Sequence, residues 1–294
     1  MMAEASVQTR KKPRKNSEFL RVMKQLSRNK MAVVGLVILV IEIILAILAP
    51  VIAPYDYTQM DILNMFAPPS TQHIFGCDDL GRDIFSRILI GARYSLSCGI
   101  LATLIGVVIG MAIGAVAGFF GGKVDNIVMR ILDIIQAIPG MVMMIVMSAV
   151  LGPGFVNTIF AMAFGTIPGM ARMLRAQMLK VRENEYIEAS VSINCSKFRI
   201  IMDHLIPNCM SPMIVQATMG VAQTITTASG LSFIGLGVQP PIPEWGAMLS
   251  GARQFIRQAP HLVIFPGLAI AVTVLALNMM GDGLRDALDP KLKN

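Results

Sequence analysis

Apolar residues in this chain run in blocks of about 20, the length that carries a helix across a bilayer. Six blocks are legible: Met31–Ala53, Ser95–Phe119, Ile127–Leu151, Asn157–Met173, Met210–Leu236 and His261–Leu284. Within hydrocarbon, each block must satisfy its own backbone N–H and C=O groups, which favours helices. The pattern predicts an all-α polytopic membrane protein with six transmembrane helices. Pro50 and Pro54 close the first block, Pro139-Gly140 interrupts the third, and Pro168-Gly169 lies in the fourth. Residues 54–93 form a mixed, polar stretch, expected outside the membrane. A helix is expected there from Asp78 to Ile90, with acids at its start that suit the helix dipole. The division is thus a basic tail (1–30), a first span (31–53), the extracytoplasmic segment (54–93), a five-helix core (94–284) and a short tail (285–294).

One stretch of the core, 182–208, is too polar to span. Its pattern predicts two short amphipathic helices. In the first, Tyr186, Ala189 and Ile193 share a face, with Glu183, Glu185 and Glu188 more exposed. In the second, Ser196 is placed to cap, and Phe198, Ile201, Met202, Leu205 and Ile206 fall at helical spacing. Pro207 is expected to end that helix. Asn194 sits at the bend, where a left-handed residue is needed.

Composition agrees with the membrane reading: 54% hydrophobic and 15% charged, against roughly 25% charged in soluble domains. Residues 1–30 hold nine basic groups and two acids, which is the whole net charge of +7. A nucleic-acid arm is one reading of such a tail. Basic residues holding an uncleaved signal-anchor on the cytoplasmic side is the better one. Arg172, Arg175, Lys180, Arg182, Lys197 and Arg199 then share that side, so six spans leave both termini cytoplasmic. Arg82, Arg87, Arg93, Arg253 and Arg257 fall in the outer segments and weaken the bias without reversing it. Cys77, Cys98, Cys195 and Cys209 fall in different compartments or on the reducing side, so no disulfide is expected.

Candidate chemistry is sparse. No phosphate-binding loop is present: Gly122-Lys123 follows Ala117 five residues back and precedes Val124. His73, His204 and His261 form no zinc motif, and Asp282 lacks the acid-pair context of an intramembrane protease. Copper binding by Met141, Met143, Met144 and Met147 is outweighed by apolar packing. No catalytic or metal residues are assigned. Gly106, Gly110, Gly114 and Gly118 recur every four residues, a pattern that lets helices approach closely. Gln216, Gln223 and Thr227 form one stripe, open to pore lining or to interhelical hydrogen bonding. Glu42 lies in the first span, where a helix–helix contact is the favoured reading. Arg130 and Asp133 can pair locally.

The hairpin also carries a family resemblance. Glu188-Ala189-Ser190, three residues, Asn194, then Leu205-Ile206-Pro207 resembles the EAA loop of bacterial ABC-importer membrane subunits. Ser190 stands for the usual second Ala and Asn194 for the usual Gly. Four further segments are similar to the dipeptide/oligopeptide/nickel permease branch: FGCDDLGRDIFSRILIGARYSL from Phe75, FGGKVDNIVMRILD from Phe120, QPPIPEWGAML from Gln239 and NMMGDGLRDALDPKL from Asn278. Cys77 replaces the usual Thr of the first. The tail resembles the second permease subunit of dipeptide transporters.

The resemblance implies a type I ABC-importer permease architecture in a bacterial cell membrane. It also implies a second permease subunit as heterodimer partner, two cytosolic ATPase subunits that bind ATP and Mg, and an extracytoplasmic binding protein. The chain itself needs no cofactor and no nucleic acid. Glu188, Ala189, Ser190, Asn194, Phe198, Ile201, Leu205 and Pro207 would dock the ATPase. The cargo would be a di- or oligopeptide, with nickel or another small chelate as the alternative and an intramembrane enzyme as a remote one.

Overall fold

The computed structural model describes residues 15–288. Arg10, Lys11, Lys12 and Arg14 of the basic tail, and residues 289–294 of the other tail, lie outside them. Among the described residues the structure is helical, with one isolated bridge, Cys77–Asp83. The helices are α1 (Lys15–Leu26), α2 (Lys30–Ile52), α3 (Ile84–Phe120), α4 (Gly122–Ala137), α5 (Gly140–Leu151) and α6 (Phe155–Arg182). They continue with α7 (Glu185–Ser192), α8 (Lys197–Arg199), α9 (Ile206–Phe233), α10 (Trp245–Ala252) and α11 (His261–Leu288). The first lies within the basic tail, where no helix was expected.

Three helices, α2, α3 and α11, are long and apolar enough to cross a membrane, and the pair α4 and α5 is a fourth if taken as one span. The other two expected spans correspond to α6 and α9, 28 residues each, which carry more polar positions. The third block is not straight. Helix α4 stops at Ala137, Ile138 is extended before Pro139, and α5 leaves at 86°. Proline disfavours the helical conformation in its predecessor and offers no N–H of its own, and here the chain turns.

The helix expected from Asp78 to Ile90 begins instead at Ile84 and continues unbroken through the second block as α3, 37 residues long. Its cap is Asp83, whose Oδ2 accepts from the Ser86 N–H at 2.7 Å. Asp78 belongs to the turn before it. The Asp78 carboxylate accepts from the N–H groups of Leu80 and Arg82 and pairs with the Arg82 and Arg87 guanidinium groups. A short-range competitor won: an Asp side chain bonding to the backbone two residues on stabilises a turn against a helix. Gly81 in that turn has φ +73°, and a Cβ there would strike the Asp61 carbonyl. Segment 54–83 folds against α10 and α11, with Phe75 stacked on Phe265 at 4.0 Å and Phe66 tilted against Phe255 at 4.8 Å.

The long helices meet through small residues. The four glycines of α3 at four-residue spacing, Gly106, Gly110, Gly114 and Gly118, all face α6. A Cβ at Gly110 would lie 2.7 Å from Met170 Cβ, one at Gly106 2.6 Å from Thr166 Cβ, and one at Gly114 would strike the Ala171 carbonyl. Gly118 opposes Met178. Gly35 of α2 sits against Ala276 and Met279 of α11 in the same way. Glu42 meets α11 too: Thr273 Oγ1 donates to its Oε1 at 3.0 Å, the helix–helix contact favoured from sequence.

Helix α6 runs past Met173 to Arg182, so it projects nine residues beyond its expected end. Asp133 does not pair with Arg130; it accepts from Arg172 of α6 at 2.7 Å, and Asp125 takes Arg175 in a forked pair. The bend at Pro139 lays α4 beside α6, bringing these partners together.

Candidate functional site

The hairpin closes one end of the bundle, and its geometry follows from one residue. Helix α7 ends in a left-handed turn at Asn194, φ +58°. The Cys195 N–H bonds back to the Ser190 carbonyl at 3.1 Å and the Asn194 N–H to that of Val191 at 2.9 Å. That double closure is the Schellman stop, and Asn is the residue besides Gly that adopts it at low cost. Ser196 then caps α8, its Oγ accepting from the Arg199 N–H at 3.3 Å.

The second helix differs from expectation. Residues 200–205 form a π-helical segment that runs straight into α9, so Pro207 starts a helix rather than ending one. The Ile206 N–H bonds five residues back, to Ile201. A π turn changes the register just where Pro207 has no N–H to give, so the proline breaks no ladder. The changed register also redistributes the apolar face. Ile200 and Leu205 are buried with Ile187 against Leu174, Met178 and Met213. Phe198 is 73% exposed and Met202 45%, while Ile201 is half-buried.

On α7 the buried residue is Ile187. Tyr186, Glu188, Ala189 and Ile193 face outward together. The Ser190 hydroxyl donates to the Tyr186 carbonyl at 2.7 Å, within its own helix. The hairpin thus presents Tyr186, Glu188, Ala189, Ile193 and Phe198 on its surface. Leu205 anchors it from beneath, and Pro207 is exposed at the start of α9.

Gln216, Gln223 and Thr227 of α9 line one concavity of about 450 Å³. Thr166 of α6 and Asn278 of α11 add to its polar lining with Thr224 and Thr226 of α9, and Met144 and Met162 contribute to its apolar part. Gln223 Nε2 donates to Thr227 Oγ1 at 3.3 Å, so two of the three also bond to each other. At Gln216 and Met219 the concavity adjoins a larger one of about 710 Å³ at the hairpin end, which includes Gln177, Lys180 and Arg285. Thr166, Gln177 and Asn278 were missed from sequence. For Thr166 and Asn278 the signal was a polar side chain in an otherwise apolar run; Gln177 lies among basic residues and carried none.

At the opposite end, Glu244 is the least expected feature. It is buried and caps α10, its two oxygens accepting from the N–H groups of Gly246 and Ala247 at 3.0 and 2.9 Å. The hydroxyls of Ser95 on α3 and Ser229 on α9 also donate to it, at 3.3 and 3.5 Å. Burial raises its carboxyl above the ordinary value, with hydrogen bonds from Gly246, Ser232, Ala247 and Ser95 opposing. Trp245 Nε1 donates to the Ile88 carbonyl at 3.1 Å. Nearby, burial first and then Asp83 and Asp78 push the Cys77 thiol up to about 11, which leaves it un-ionised. All four cysteines are free thiols.

Residues 83–294 match the family described as binding-protein-dependent transport system inner membrane component. Residues 17–69 match the N-terminal TM domain of oligopeptide transport permease C. The chain is 44% identical over 278 residues to the dipeptide transport system permease protein DppC of Alkalihalophilus pseudofirmus, covering 95% of this chain and 91% of that one. It is 46% identical over 267 residues to the glutathione transport system permease protein GsiD of Escherichia coli, covering 90% and 88%. Among solved structures, an inward-facing form of the MetNI methionine ABC transporter superposes with a TM-score of 0.59 at 18% identity, covering 69% of this chain and 96% of that one.

Proposed function

This chain belongs to the binding-protein-dependent transport system inner membrane components, and from that premise we propose how its parts divide the work of a peptide importer. It is a permease subunit of an ABC importer. Helices α2, α3, α4 with α5, α6, α9 and α11 are read as the six spans, with the hairpin end and both termini in the cytosol of a bacterial cell. A second permease subunit pairs with it, and an extracytoplasmic binding protein delivers cargo. Two ATPase subunits bind ATP and Mg below it.

The observation that carries the coupling role is the hairpin surface. A left-handed stop at Asn194 turns Phe198 and Ile193 outward, beside the exposed Glu188. Large exposed apolar side chains on a rigid support mark a protein contact. Glu188, Ala189, Ser190 and Phe198 are proposed to sit in a groove of an ATPase subunit, with Glu188 as the charged contact. Gln216, Gln223 and Thr227 are proposed to line the translocation path, because they share one concavity with polar groups of α6 and α11. The cargo is proposed to be a short peptide, in line with the dipeptide and glutathione permeases it resembles.

The test is uptake of a labelled dipeptide by cells carrying the whole transporter. Glu188→Ala should lower uptake while the amount of membrane-inserted protein stays level. Wild-type uptake in that variant would end the docking assignment, and failure of any ATPase to co-purify would end the importer reading.

A further inference from the structure

Between the end of α3 and the hairpin lies a third cavity, of about 470 Å³, that the transport cycle described above does not use. Its floor is apolar: Ile187, Val191, Ile200 and Leu205. Its rim carries Phe119, Phe120, Arg182 and Lys197. Arg182 Nη1 donates to the Phe119 carbonyl at 3.2 Å, satisfying one of the open carbonyls at the helix end. A guanidinium has five N–H donors, so four remain. The Lys197 ammonium stands 5.6 Å from the centre of the Phe120 ring, a cation–π distance. Among the described residues neither cation forms an ion pair. The acids on the hairpin are exposed or engaged elsewhere: Asp203 with Arg199 at 3.6 Å, and Glu183, Glu185 and Glu188 out in solvent.

Two unneutralised cations over an apolar floor call for an anion that carries hydrocarbon. The cavity's depth agrees. Phe120 is the last residue of the long apolar helix α3 and is 50% exposed, so the rim lies where a span gives way to the headgroup layer. Basic pockets at that level on the cytosolic side hold anionic lipid headgroups. A soluble phosphate would meet the cations but leave Val191 and Phe120 uncovered.

We propose that this cavity binds an anionic phospholipid of the inner leaflet, with its phosphate between Arg182 and Lys197 and an acyl chain along Phe120. The bound lipid ties the end of α3 to the hairpin. The inference rests on the reading that the hairpin end is cytosolic.

The experiment uses the assembled transporter in nanodiscs of phosphatidylcholine mixed with phosphatidylglycerol, with retained lipid counted by native mass spectrometry. Wild-type complex should retain phosphatidylglycerol over phosphatidylcholine. The R182Q/K197Q double variant should retain about tenfold less, since each basic group near a membrane surface adds markedly to anionic-lipid binding. Lys197→Arg, which keeps the charge, should retain the wild-type level and so controls for misfolding. Equal retention by wild type and the double variant overturns the proposal. So does displacement of the lipid by millimolar inorganic phosphate, which would make the site one for free phosphate. If no ATPase co-purifies, the importer reading fails, but the permease alone in the same discs still gives the lipid answer.

Discussion

Asn194 shows how much a single backbone angle can carry. At φ +58° it accepts a conformation that costs an ordinary L-residue roughly 1–2 kcal/mol. Its side chain is not what the position requires; its tolerance is. Asn194→Gly should therefore keep both the melting temperature of the purified complex and peptide uptake. Asn194→Val, β-branched, should lower both, because the stop that turns Phe198 outward is strained. Equal behaviour of the two variants would show that the bend is not conformationally limiting. This residue was legible in the sequence because turn chemistry is local. Glu244 was not: its partner Ser95 sits 149 residues away along the chain, and nothing in a string marks a Glu as buried.

Among the elements, blocks of apolar residues located every long helix, but the ends fell where capping and register decided. Asp83 captured the start of α3 because Asp78 was already committed to a turn. A π turn joined α8 to α9 across Pro207, which periodicity alone reads as a stop. The same turn put Phe198 outside and Leu205 inside, although both fit one helical stripe. The glycine spacing of α3 is legible because a four-residue repeat is itself a geometric statement about one helix face, here the face toward α6. Gly110→Leu should be the harshest test of it. Its Cβ would fall 2.7 Å from Met170 Cβ and 2.8 Å from the Ile167 carbonyl. Overpacking of that kind costs about 1–3 kcal/mol, to be read as lost complex yield and a lower melting temperature. An unchanged yield would mean that α3 and α6 part easily.

For the molecule as a whole, Glu244 pins three helices at the end away from the hairpin: α10, which it caps, and α3 and α9 through Ser95 and Ser229. Its raised carboxyl makes the pin pH-dependent. The folded chain holds a proton there at a pH where the unfolded chain has released it. The group's contribution to stability is thus fullest at low pH and declines as pH rises from the ordinary carboxylate value through the raised one. Glu244→Gln, fixed in the neutral form, should flatten that part of the melting profile, on the alkaline side of the ordinary carboxylate range. A variant with the wild-type slope would assign the slope to other groups. From this pinned end α3 runs unbroken to the hairpin, and glycines weld it to α6 along the way. At 1.5 Å per residue it is a rod about 55 Å long, so a tilt of about 10° swings its far end by about 10 Å. A helix of that length, held near Ser95, is a lever: a small rotation at the pinned end is a large displacement at Phe120, with no residue in between changing its conformation.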